Sequence, residues 1–393
     1  MTSAREPTVK ITRKGVKRLK GGHLWIYKSD VAETHDVSPG CVARVEDERG
    51  WFLGRAFYSQ QSSITLRLLT TEDRPIDRAF FGERLDAAIA LRQRLFGEEP
   101  TLRLVHSEAD LLPGLVVDRY DDVLSIQTHS QGTDRLKETF YDLLEERLSP
   151  RSIVERNESK VRSYEGLSLV REVARGEAPG VKAYSEGALT FFADPLEGQK
   201  TGAFLDQREN HVRVEAYVEP GMRCLDVFTY NGGFGLHMAK AGGEVTAIDV
   251  SADALRETAR AAEANKLQLE LVEDNAFDWL KANCVDGEPY DLIVLDPPSF
   301  ARSKGALEGA KRGYKEINLR ALQLLKPGGI LVSASCSYHM NEQLLLETVL
   351  SAAQDAGRRV QLIERRGASR DHPTLLGVPE TSYLKCLFFR RVD

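Results

Sequence analysis

CLDVFTYNGGFGLHMAKAGGEVTAIDVS, residues 224 to 251, decides the fold of this chain. The stretch contains an apolar strand, a glycine-rich loop, a helical segment and a second strand that ends on Asp249. Glycines at 232, 233 and 235 let the backbone approach a ligand closely, and the helix that follows directs free N–H groups at it. Asp249 is placed to accept hydrogen bonds from both hydroxyls of a ribose. The stretch therefore predicts a nucleotide-type cofactor in a Rossmann-like fold.

The chemistry of the loop favours S-adenosylmethionine over NAD. The loop does not follow the GxGxxG pattern of dinucleotide sites, and Asp226 just before it would disfavour a pyrophosphate. A carboxylate instead suits the ammonium group of a methionine moiety. Further candidate contacts to this cofactor lie in the same stretch, at Tyr230, Asn231, Gly232 and Ser251.

Strands and helices alternate strictly from residue 188 onwards. This alternation is typical of an α/β domain whose mainly parallel, doubly wound sheet is covered by helices on both faces. Ligands bind beyond the carboxyl ends of the strands in such sheets. Asn275 and Ala276 follow the third strand, and we expect them to meet the adenine edge, Asn275 by its side chain and Ala276 by its backbone amide.

A cysteine stands at the end of another predicted strand. SASCSYHM, residues 333 to 340, places Cys336 where an apolar run gives way to a polar loop. The preceding strand ends on Asp296 and Pro297, because proline cannot donate to a strand ladder. Neighbouring strands lie about 4.8 Å apart. We therefore expect Asp296 and Cys336 to face one pocket, with Asp296 and Pro297 also touching the cofactor.

Methylation of a pyrimidine ring carbon would use this pair. C5 of a pyrimidine is a poor nucleophile, so an enzyme first adds a thiolate at C6 and thereby splits one difficult step into two. A free cysteine is only about 3% thiolate at pH 7, a handicap that cationic groups nearby can offset. Asp296 would hydrogen-bond the N3/N4 edge of the base. The other cysteines lie in apolar contexts and are predicted to be structural: Cys41, Cys224, Cys284 and Cys386.

The rest of the chain predicts two smaller domains. Alternating segments at 9–19, 41–48, 50–59 and 62–70 indicate a small β-barrel, and residues 77–96 have helical spacing. Strand and helix segments between them and residue 187 indicate an α+β domain. The predicted boundaries are 1–75 for the barrel, 76–187 for the middle domain and 188–393 for the α/β domain.

Composition excludes several classes of protein. The 393 residues carry a net charge of −6 and five scattered cysteines, which predict neither a disulfide framework nor a metal site. The sequence lacks an apolar run long enough for a membrane span, so a cytoplasmic protein is expected. Two basic clusters could hold phosphates: Arg5, Lys10, Arg13, Lys14, Lys17, Arg18 and Lys20 at the start, and Arg302, Lys304, Lys311, Arg312, Lys315 and Arg320 after DPPSF.

The chain resembles one family of enzymes over nearly its whole length. The motifs that carry the resemblance are GGHLWIYKSDV (21–31), SEADLLPGLVVDRY (107–120), QKTGAFLDQREN (199–210), FTYNGGF (228–234), DPPSF (296–300), KRGYKEIN (311–318), SCS (335–337) and DHP (371–373). Each motif is weak alone, but together they resemble the bacterial 23S ribosomal RNA cytosine-5 methyltransferases of the large-subunit methyltransferase I type.

The resemblance implies a domain plan and an activity. The barrel would be a PUA domain that binds RNA, and the α/β domain would be a class I methyltransferase that uses S-adenosylmethionine. The partner would be large-subunit ribosomal RNA, with no membrane and no metal involved, and a homodimer is left open. The resemblance also implies Cys336 as the nucleophile and cofactor contacts from Phe204 and Gln207.

One departure concerns the base that must remove the C5 proton. RNA cytosine-5 methyltransferases with two cysteines carry the second one directly after the proline, where this chain has Ser299. The site is in this respect similar to the 5-methyluridine enzymes, which use one cysteine and a C-terminal acid. Asp371 and Glu380 are the candidate acids, and spacing does not choose between them. Cytosine rather than uracil rests on the resemblance alone.

Other functions stay open as alternatives. A 5-methyluridine enzyme would use the same thiol mechanism. An exocyclic-amine methyltransferase needs no thiol and clamps the base with an aromatic directly after Pro-Pro, whereas Ser299 displaces Phe300 by one position. A non-catalytic RNA-binding assembly factor would not need Asp249, Asp296 and Cys336 together.

Overall fold

A computed structural model of the chain describes residues 6 to 285, 287 to 300 and 304 to 393. Arg5 and Arg302 of the predicted basic clusters lie outside the described residues, as does the side chain of Lys304. The chain divides into two compact units. The first contains residues 1–184, 193–203 and 370–381, and the second contains residues 185–192, 204–369 and 382–393.

The first unit begins with strands β1 Thr8–Ile11, β2 Trp25–Tyr27, β3 Val31–His35, β4 Val42–Asp47, β5 Phe52–Tyr58 and β6 Ile64–Thr70. They form one sheet in the order β2-β6-β5-β4-β1-β3, around a core that includes Val9, Ile26 and Leu66. Neighbours pair antiparallel except β1 and β4.

The predicted strand over residues 9–19 is wrong beyond Ile11. Residues Arg13–Lys20 form helix α1, which begins after Thr12, whose side chain accepts a hydrogen bond from the Gly15 N–H. Val16 and Leu19 pack against the barrel core at the three-residue spacing of a helix. A short basic helix can be mistaken for an alternating strand because both place apolar residues on one side.

The middle part of the first unit is a second sheet with helices. Its strands are β7 Thr101–His106, β8 Leu115–Tyr120, β9 Val123–Thr128, β10 Ser152–Asn157 and β11 Val170–Gly176, in the order β11-β10-β9-β8-β7. The helices are α2 Arg78–Phe96, α3 Gln131–Arg135, α4 Lys137–Leu148 and α5 Val161–Tyr164. Asp77 caps the start of α2 and Gly97 ends it with a φ of 64°. Strands β12 Lys182–Glu186 and β13 Leu189–Ala193 follow as a separate pair.

The second unit is built on one mixed sheet. Its strands are β14 Arg223–Val227, β15 Glu244–Asp249, β16 Glu270–Glu273, β17 Tyr290–Leu295, β18 Leu325–Ser335, β19 Val360–Arg366 and β20 Lys385–Arg391. Their order is β16-β15-β14-β17-β18-β20-β19, parallel up to β18 and antiparallel for the last two pairs. The reversal of order beside β14 creates a switch point, where ligands bind in such sheets.

Helices cover this sheet: α6 Arg208–Val214, α7 Gly233–Lys240, α8 Ala252–Asn265, α9 Ala276–Asn283, α10 Leu307–Leu324 and α11 Glu342–Asp355. Helix α10 contains the KRGYKEIN motif, and β19 was not predicted. Exposed and half-buried residues alternate along β19, a sign of an edge strand that carries polar residues on one face. The mainly parallel α/β architecture agrees with the prediction.

Candidate cofactor and catalytic site

The Asp249 side chain is hydrogen-bonded to the backbone of the glycine loop. One carboxylate oxygen accepts a hydrogen bond of 2.9 Å from the Tyr230 N–H, and the other accepts one of 2.9 Å from the Ser251 N–H. The side chain is half-buried at the end of β15. Because a carboxylate oxygen has two lone pairs, each oxygen keeps one for a ribose hydroxyl.

The Asp226 side chain is also hydrogen-bonded to this loop. Its Oδ2 accepts hydrogen bonds from the Thr229 hydroxyl at 2.5 Å and from the Gly235 N–H at 2.8 Å. Burial is the main reason that its pKa rises to about 6, against the lowering effect of these two hydrogen bonds. Its observed role is thus to fix the turn, and its predicted contact with an ammonium group stays a prediction.

The glycines of the loop make room for protein atoms as well as for a ligand. Gly232 has a φ of 83°, and the neighbouring Tyr230 has a φ of 52°, so the loop turns in the left-handed region. A Cβ atom at Gly233 would lie 2.3 Å from Cε1 of His211, and one at Gly235 would lie 3.0 Å from Oδ2 of Asp226. A side chain at Gly233 would therefore displace the buried His211 ring, a reason for glycine that the motif alone did not reveal.

The other predicted cofactor residues lie after β16 and in residues 204–207. Asn275 caps helix α9, because its side-chain oxygen accepts hydrogen bonds from Phe277 N–H at 2.9 Å and Asp278 N–H at 3.4 Å. The backbone N–H of Ala276 is not one of its donors. The rings of Phe204 and Tyr230 meet edge to face with centroids 4.7 Å apart. Loop, carboxylate and half-buried aromatic pair fit an adenosine-type group.

Asp296 lies at the adjacent strand end. It follows β17, and Leu295 is paired with Ser333 of β18, so Asp296 and Cys336 follow neighbouring parallel strands as predicted. The Gln207 side chain donates a hydrogen bond of 3.0 Å to Asp296 Oδ2. Gln207, expected as a cofactor contact, thus positions Asp296.

The pKa of Asp296 rises to about 7, chiefly because the carboxyl is desolvated. Attraction to His211 and the hydrogen bond from Gln207 oppose this rise, while repulsion from Asp206 and Asp226 adds to it. A carboxyl with this pKa exists in both protonation states near neutral pH, so it can donate or accept a hydrogen bond.

Cys336 is half-buried within a group of hydroxyls. The Ser299 and Ser337 side chains are 2.8 Å apart, and the Tyr314 hydroxyl lies 2.8 Å from Ser335 Oγ and 3.4 Å from Ser337 Oγ. Ser299 stands where the two-cysteine enzymes have their second thiol. It is therefore linked by a hydrogen bond to the residue that follows Cys336.

The pKa of Tyr314 depends on groups at the ends of β17 and β18. Burial raises its pKa to about 12, its hydrogen bonds to Ser335 and Ser337 lower it, and the charges of Cys336 and Asp296 both raise it. The KRGYKEIN tyrosine thus contacts both residues that flank Cys336, Ser335 and Ser337. No role for Tyr314 was predicted from the sequence, although its motif contributes to the family resemblance.

A buried ion pair beside the glycine loop was not predicted from the sequence. Nδ1 of His211 lies 2.7 Å from Oε2 of Glu186, and both side chains are buried. Burial lowers the pKa of His211, but Glu186, Asp296 and Asp226 more than offset this, so the pKa is raised. The two residues are 25 positions apart, and only the tertiary fold joins them.

Asp371 and Glu380 belong to the first unit, whereas Cys336 belongs to the second. Asp371 is fully buried, and its Oδ2 accepts a hydrogen bond of 2.9 Å from the Arg103 N–H. Glu380 lies 3.4 Å from Nε2 of His23. Both acids therefore have structural contacts of their own.

The described part of the second basic cluster is largely paired. Lys311 lies 3.0 Å from Glu308, Lys315 lies 2.6 Å from Asp355, and Arg320 lies 2.9 Å from Glu316.

Over residues 6–285, 287–300 and 304–393, no helix is long and apolar enough to cross a membrane. Within those same ranges, no cluster of three His, Cys, Asp or Glu side chains could hold a metal ion.

Comparison with known proteins identifies both parts of the chain. Residues 9–71 match the PUA-like domain, and residues 167–390 match the S-adenosylmethionine-dependent methyltransferase family. The chain is 39% identical to ribosomal RNA large subunit methyltransferase I of Photobacterium profundum, over 94% of this chain and 95% of the relative. It is 40% identical to the protein of the same name from Shewanella amazonensis, over 95% and 96%.

Solved structures share the fold. SMU.776, crystallised as a complex with S-adenosylhomocysteine, has a TM-score of 0.85 at 19% identity, over 98% of this chain and 99% of that one. A Streptococcus mutans methyltransferase structure has a TM-score of 0.83 at 18% identity, over 98% and 100%. The predicted fold class and the predicted cofactor are confirmed. The chain belongs to the S-adenosylmethionine-dependent methyltransferases, and within them to the ribosomal RNA large subunit methyltransferase I family.

Proposed function

We propose that this protein methylates C5 of a cytosine in large-subunit ribosomal RNA through a covalent bond between Cys336 and C6. The observation that carries the proposal is the half-buried Cys336 at the end of β18, beside Asp296 at the end of β17. Relatives about 40% identical are called ribosomal RNA large subunit methyltransferases. We take the substrate class from these names, and we propose a cytoplasmic site of action as expected from the sequence.

The cofactor would be held at the ends of β14 to β16. The free lone pairs of Asp249 would accept the ribose hydroxyls, and the Ala276 N–H would meet the adenine edge. Tyr230, packed against Phe204, would cover the sugar or the ring. S-adenosylmethionine, when bound here, supplies an electrophilic methyl group.

Cys336 and Asp296 would act on the target cytosine ring. The Cys336 thiolate forms a bond to C6, and the electron pair of the C5–C6 double bond becomes available at C5 for the methyl group. Asp296 donates a hydrogen bond to N3 and stabilises the charge that builds up on the ring. A base then takes the proton from C5, the double bond re-forms, and the thiolate leaves.

The protonation behaviour of Asp296 favours cytosine over uracil. Cytosine presents an acceptor at N3 and a donor at N4, whereas uracil presents a donor at N3 and an acceptor at O4. A protonated carboxyl donates to N3 with one oxygen and accepts from N4 with the other. The pKa of about 7 keeps this form populated at neutral pH, whereas an ordinary aspartate would be fully ionised.

The surroundings of Phe300 argue against methylation of an exocyclic amine. Its half-buried ring packs on Tyr314 with centroids 4.9 Å apart and on Phe277 at 5.8 Å, against the edge of the hydrophobic core. A ring engaged in this way does not clamp a base. The aromatic after DPPS therefore stabilises the loop instead.

RNA access would depend on an unpaired or flipped target, because A-form RNA hides base edges in its narrow major groove. Helix α1 exposes four basic side chains, at Arg13, Lys14, Lys17 and Lys20. These would contact phosphates, so binding should weaken as salt increases.

Trapping the adduct tests the proposal. RNA that carries 5-fluorocytosine at the target has no C5 proton to lose, so the bond to Cys336 should persist and give a denaturant-resistant complex of protein and RNA. Cys336→Ala should form none and should not methylate unmodified RNA, while it binds S-adenosylmethionine as the wild type does. Turnover by Cys336→Ala near the wild-type rate would refute the covalent mechanism.

A further inference from the structure

A buried lysine lies next to the proposed nucleophile. Lys385 opens β20 and is paired with Ser335, the residue before Cys336, in the antiparallel ladder. Its side chain is 7% exposed. Nζ donates hydrogen bonds of 2.7 Å to the carbonyl oxygens of Ser337 and Tyr383.

The surroundings of Lys385 are unusual for a buried cation. Lysine is almost never buried unless it is paired with an acid, yet among the described residues no carboxylate forms an ion pair with it. Burial lowers the pKa of Lys385 to about 8, and the one charge that opposes this is that of Cys336. Two of the three ammonium hydrogens are bound by carbonyls, which leaves one donor.

Other titratable groups face the same corner from several elements. They are Asp296 after β17, Tyr314 on α10, Asp206 and His211 in residues 204–214, and Tyr383 and Cys386 on either side of Lys385. Tyr314 and Cys386 stay protonated at neutral pH, because burial raises the pKa of both. Asp296 has a pKa of about 7, and the pKa of His211 is raised because Glu186 and the nearby aspartates outweigh burial. Asp296 follows the strand beside β18, so its effect must be separated from that of Lys385.

We infer that Lys385 is a positioning residue that stabilises the thiolate of Cys336 by its positive charge. The two carbonyl hydrogen bonds fix the ammonium group beside the strand end, so that the charge acts where the thiolate forms. The inference rests on the proposed function, since it assigns a purpose to a charge near the nucleophile. The proton leaves the thiol for solvent, and no further reactant is required.

Alkylation of Cys336 by iodoacetamide in RNA-free protein tests this inference. The rate at each pH between 6 and 10 reports the thiolate fraction, and mass spectrometry of the peptide separates Cys336 from the other cysteines. We expect a midpoint below the ordinary value of about 8.5. Lys385→Met should raise the midpoint by about one pH unit, a tenfold loss of thiolate at pH 7, and Lys385→Arg should restore most of it.

Two controls make the result specific. Lys326→Met removes a lysine of the same sheet that is paired with Asp291 at 2.7 Å, and it should leave the midpoint unchanged. In the Asp296→Asn background, Lys385→Met should raise the midpoint by the same amount as it does in the wild-type background. Melting temperatures equal to that of the wild type would establish that the variants fold. If Lys385→Met does not fold, Lys385→Arg remains as a variant that keeps the positive charge.

The outcomes separate the two ideas. An unchanged alkylation midpoint in folded Lys385→Met, or a midpoint for Lys385→Arg no lower than that for Lys385→Met, would overturn the role of Lys385 and leave the covalent mechanism intact. A shifted midpoint supports the inference, and it does so even if Cys336→Ala still methylates RNA, a result that would refute the proposed function alone.

Discussion

Gln207 donates a hydrogen bond of 3.0 Å to Asp296, and its own side-chain oxygen accepts one of 2.6 Å from Asn210. Residues 207–210 are thereby tied to the end of β17. The amide orients the carboxyl and also lowers its pKa. A change at Gln207 should therefore be visible in the pH dependence of the reaction.

Gln207→Leu should raise the pKa of Asp296, because it removes a donor that favours the ionised form. We expect single-turnover methylation to fall about tenfold at pH 7, the effect of losing one positioning hydrogen bond of roughly 1.4 kcal/mol. The alkaline limb of the pH–rate profile should move to higher pH. An unmoved profile would show that the bond does not act on Asp296, and a cofactor titration of the same variant tests whether Gln207 also binds S-adenosylmethionine.

Asp296→Asn and Asp296→Ala should behave differently. A carboxamide can donate to N3 and accept from N4 as a protonated carboxyl does, so Asp296→Asn should keep its affinity for RNA. It should react about 10² to 10³ times more slowly, because an amide is a weaker donor than a carboxyl and stabilises the charge on the ring less. It should also lack the rate inflection near pH 7. Asp296→Ala should lose base recognition as well.

Rates at saturating RNA from pH 6 to 9, together with RNA binding curves, distinguish the two variants. The matched pair is informative because both remove the charge, and only Asp296→Asn keeps the pattern of donors and acceptors. Identical RNA affinities for the two variants would contradict the reading of N3 and N4 by this residue.

The sequence predicted the parts of the site that follow local rules. Asp249, Asp296 and Cys336 each end a strand, and strand ends could be located from apolar runs and prolines. The parts that depend on tertiary contacts were not predicted. Lys385 lies 49 positions after Cys336, and the antiparallel strand that brings them together carried no signal of its pairing partner. Helix α1 was missed because two apolar residues, Val16 and Leu19, are too few to establish a period.

Gly233→Ala should damage the cofactor site through packing. The added methyl would lie 2.3 Å from His211, whose ring is held on its other side by Glu186. Overpacking of this kind costs about 1 to 3 kcal/mol, and the affinity for S-adenosylmethionine should fall as the loop shifts. Thermal unfolding and cofactor titration measure the two effects.

Gly309→Ala is the matched control for that substitution. Gly309 lies in α10, its φ is not positive, and the nearest atom to a methyl group added there would be Arg312 Nη2 at 3.9 Å. Alanine should therefore stabilise the helix by about 0.4 to 1 kcal/mol. Equal effects of the two substitutions would show that the space at Gly233 is not filled by His211.

The pair of His211 and Glu186 should make stability depend on pH in a defined direction. The pKa of His211 is raised in the folded protein, so its contribution is complete below the unfolded value of about 6.5 and is lost as pH rises through the folded pKa. The pKa of Glu186 is lowered, because attraction to His211 and His237 outweighs burial. Its contribution is therefore complete above about 4.3 and is lost as pH falls through the folded pKa.

Glu186→Gln should thus destabilise the protein most between about pH 4.5 and 6.5, where both partners of the wild-type pair are charged. Removing one partner of a buried pair costs about 3 to 5 kcal/mol, and the cost should shrink at higher pH as His211 loses its proton. Urea unfolding of both proteins from pH 5 to 9 measures this difference. Since the His211 ring also touches the position of Gly233, a difference that stays constant across the range would mean that Glu186 acts on the glycine loop by shape rather than by charge.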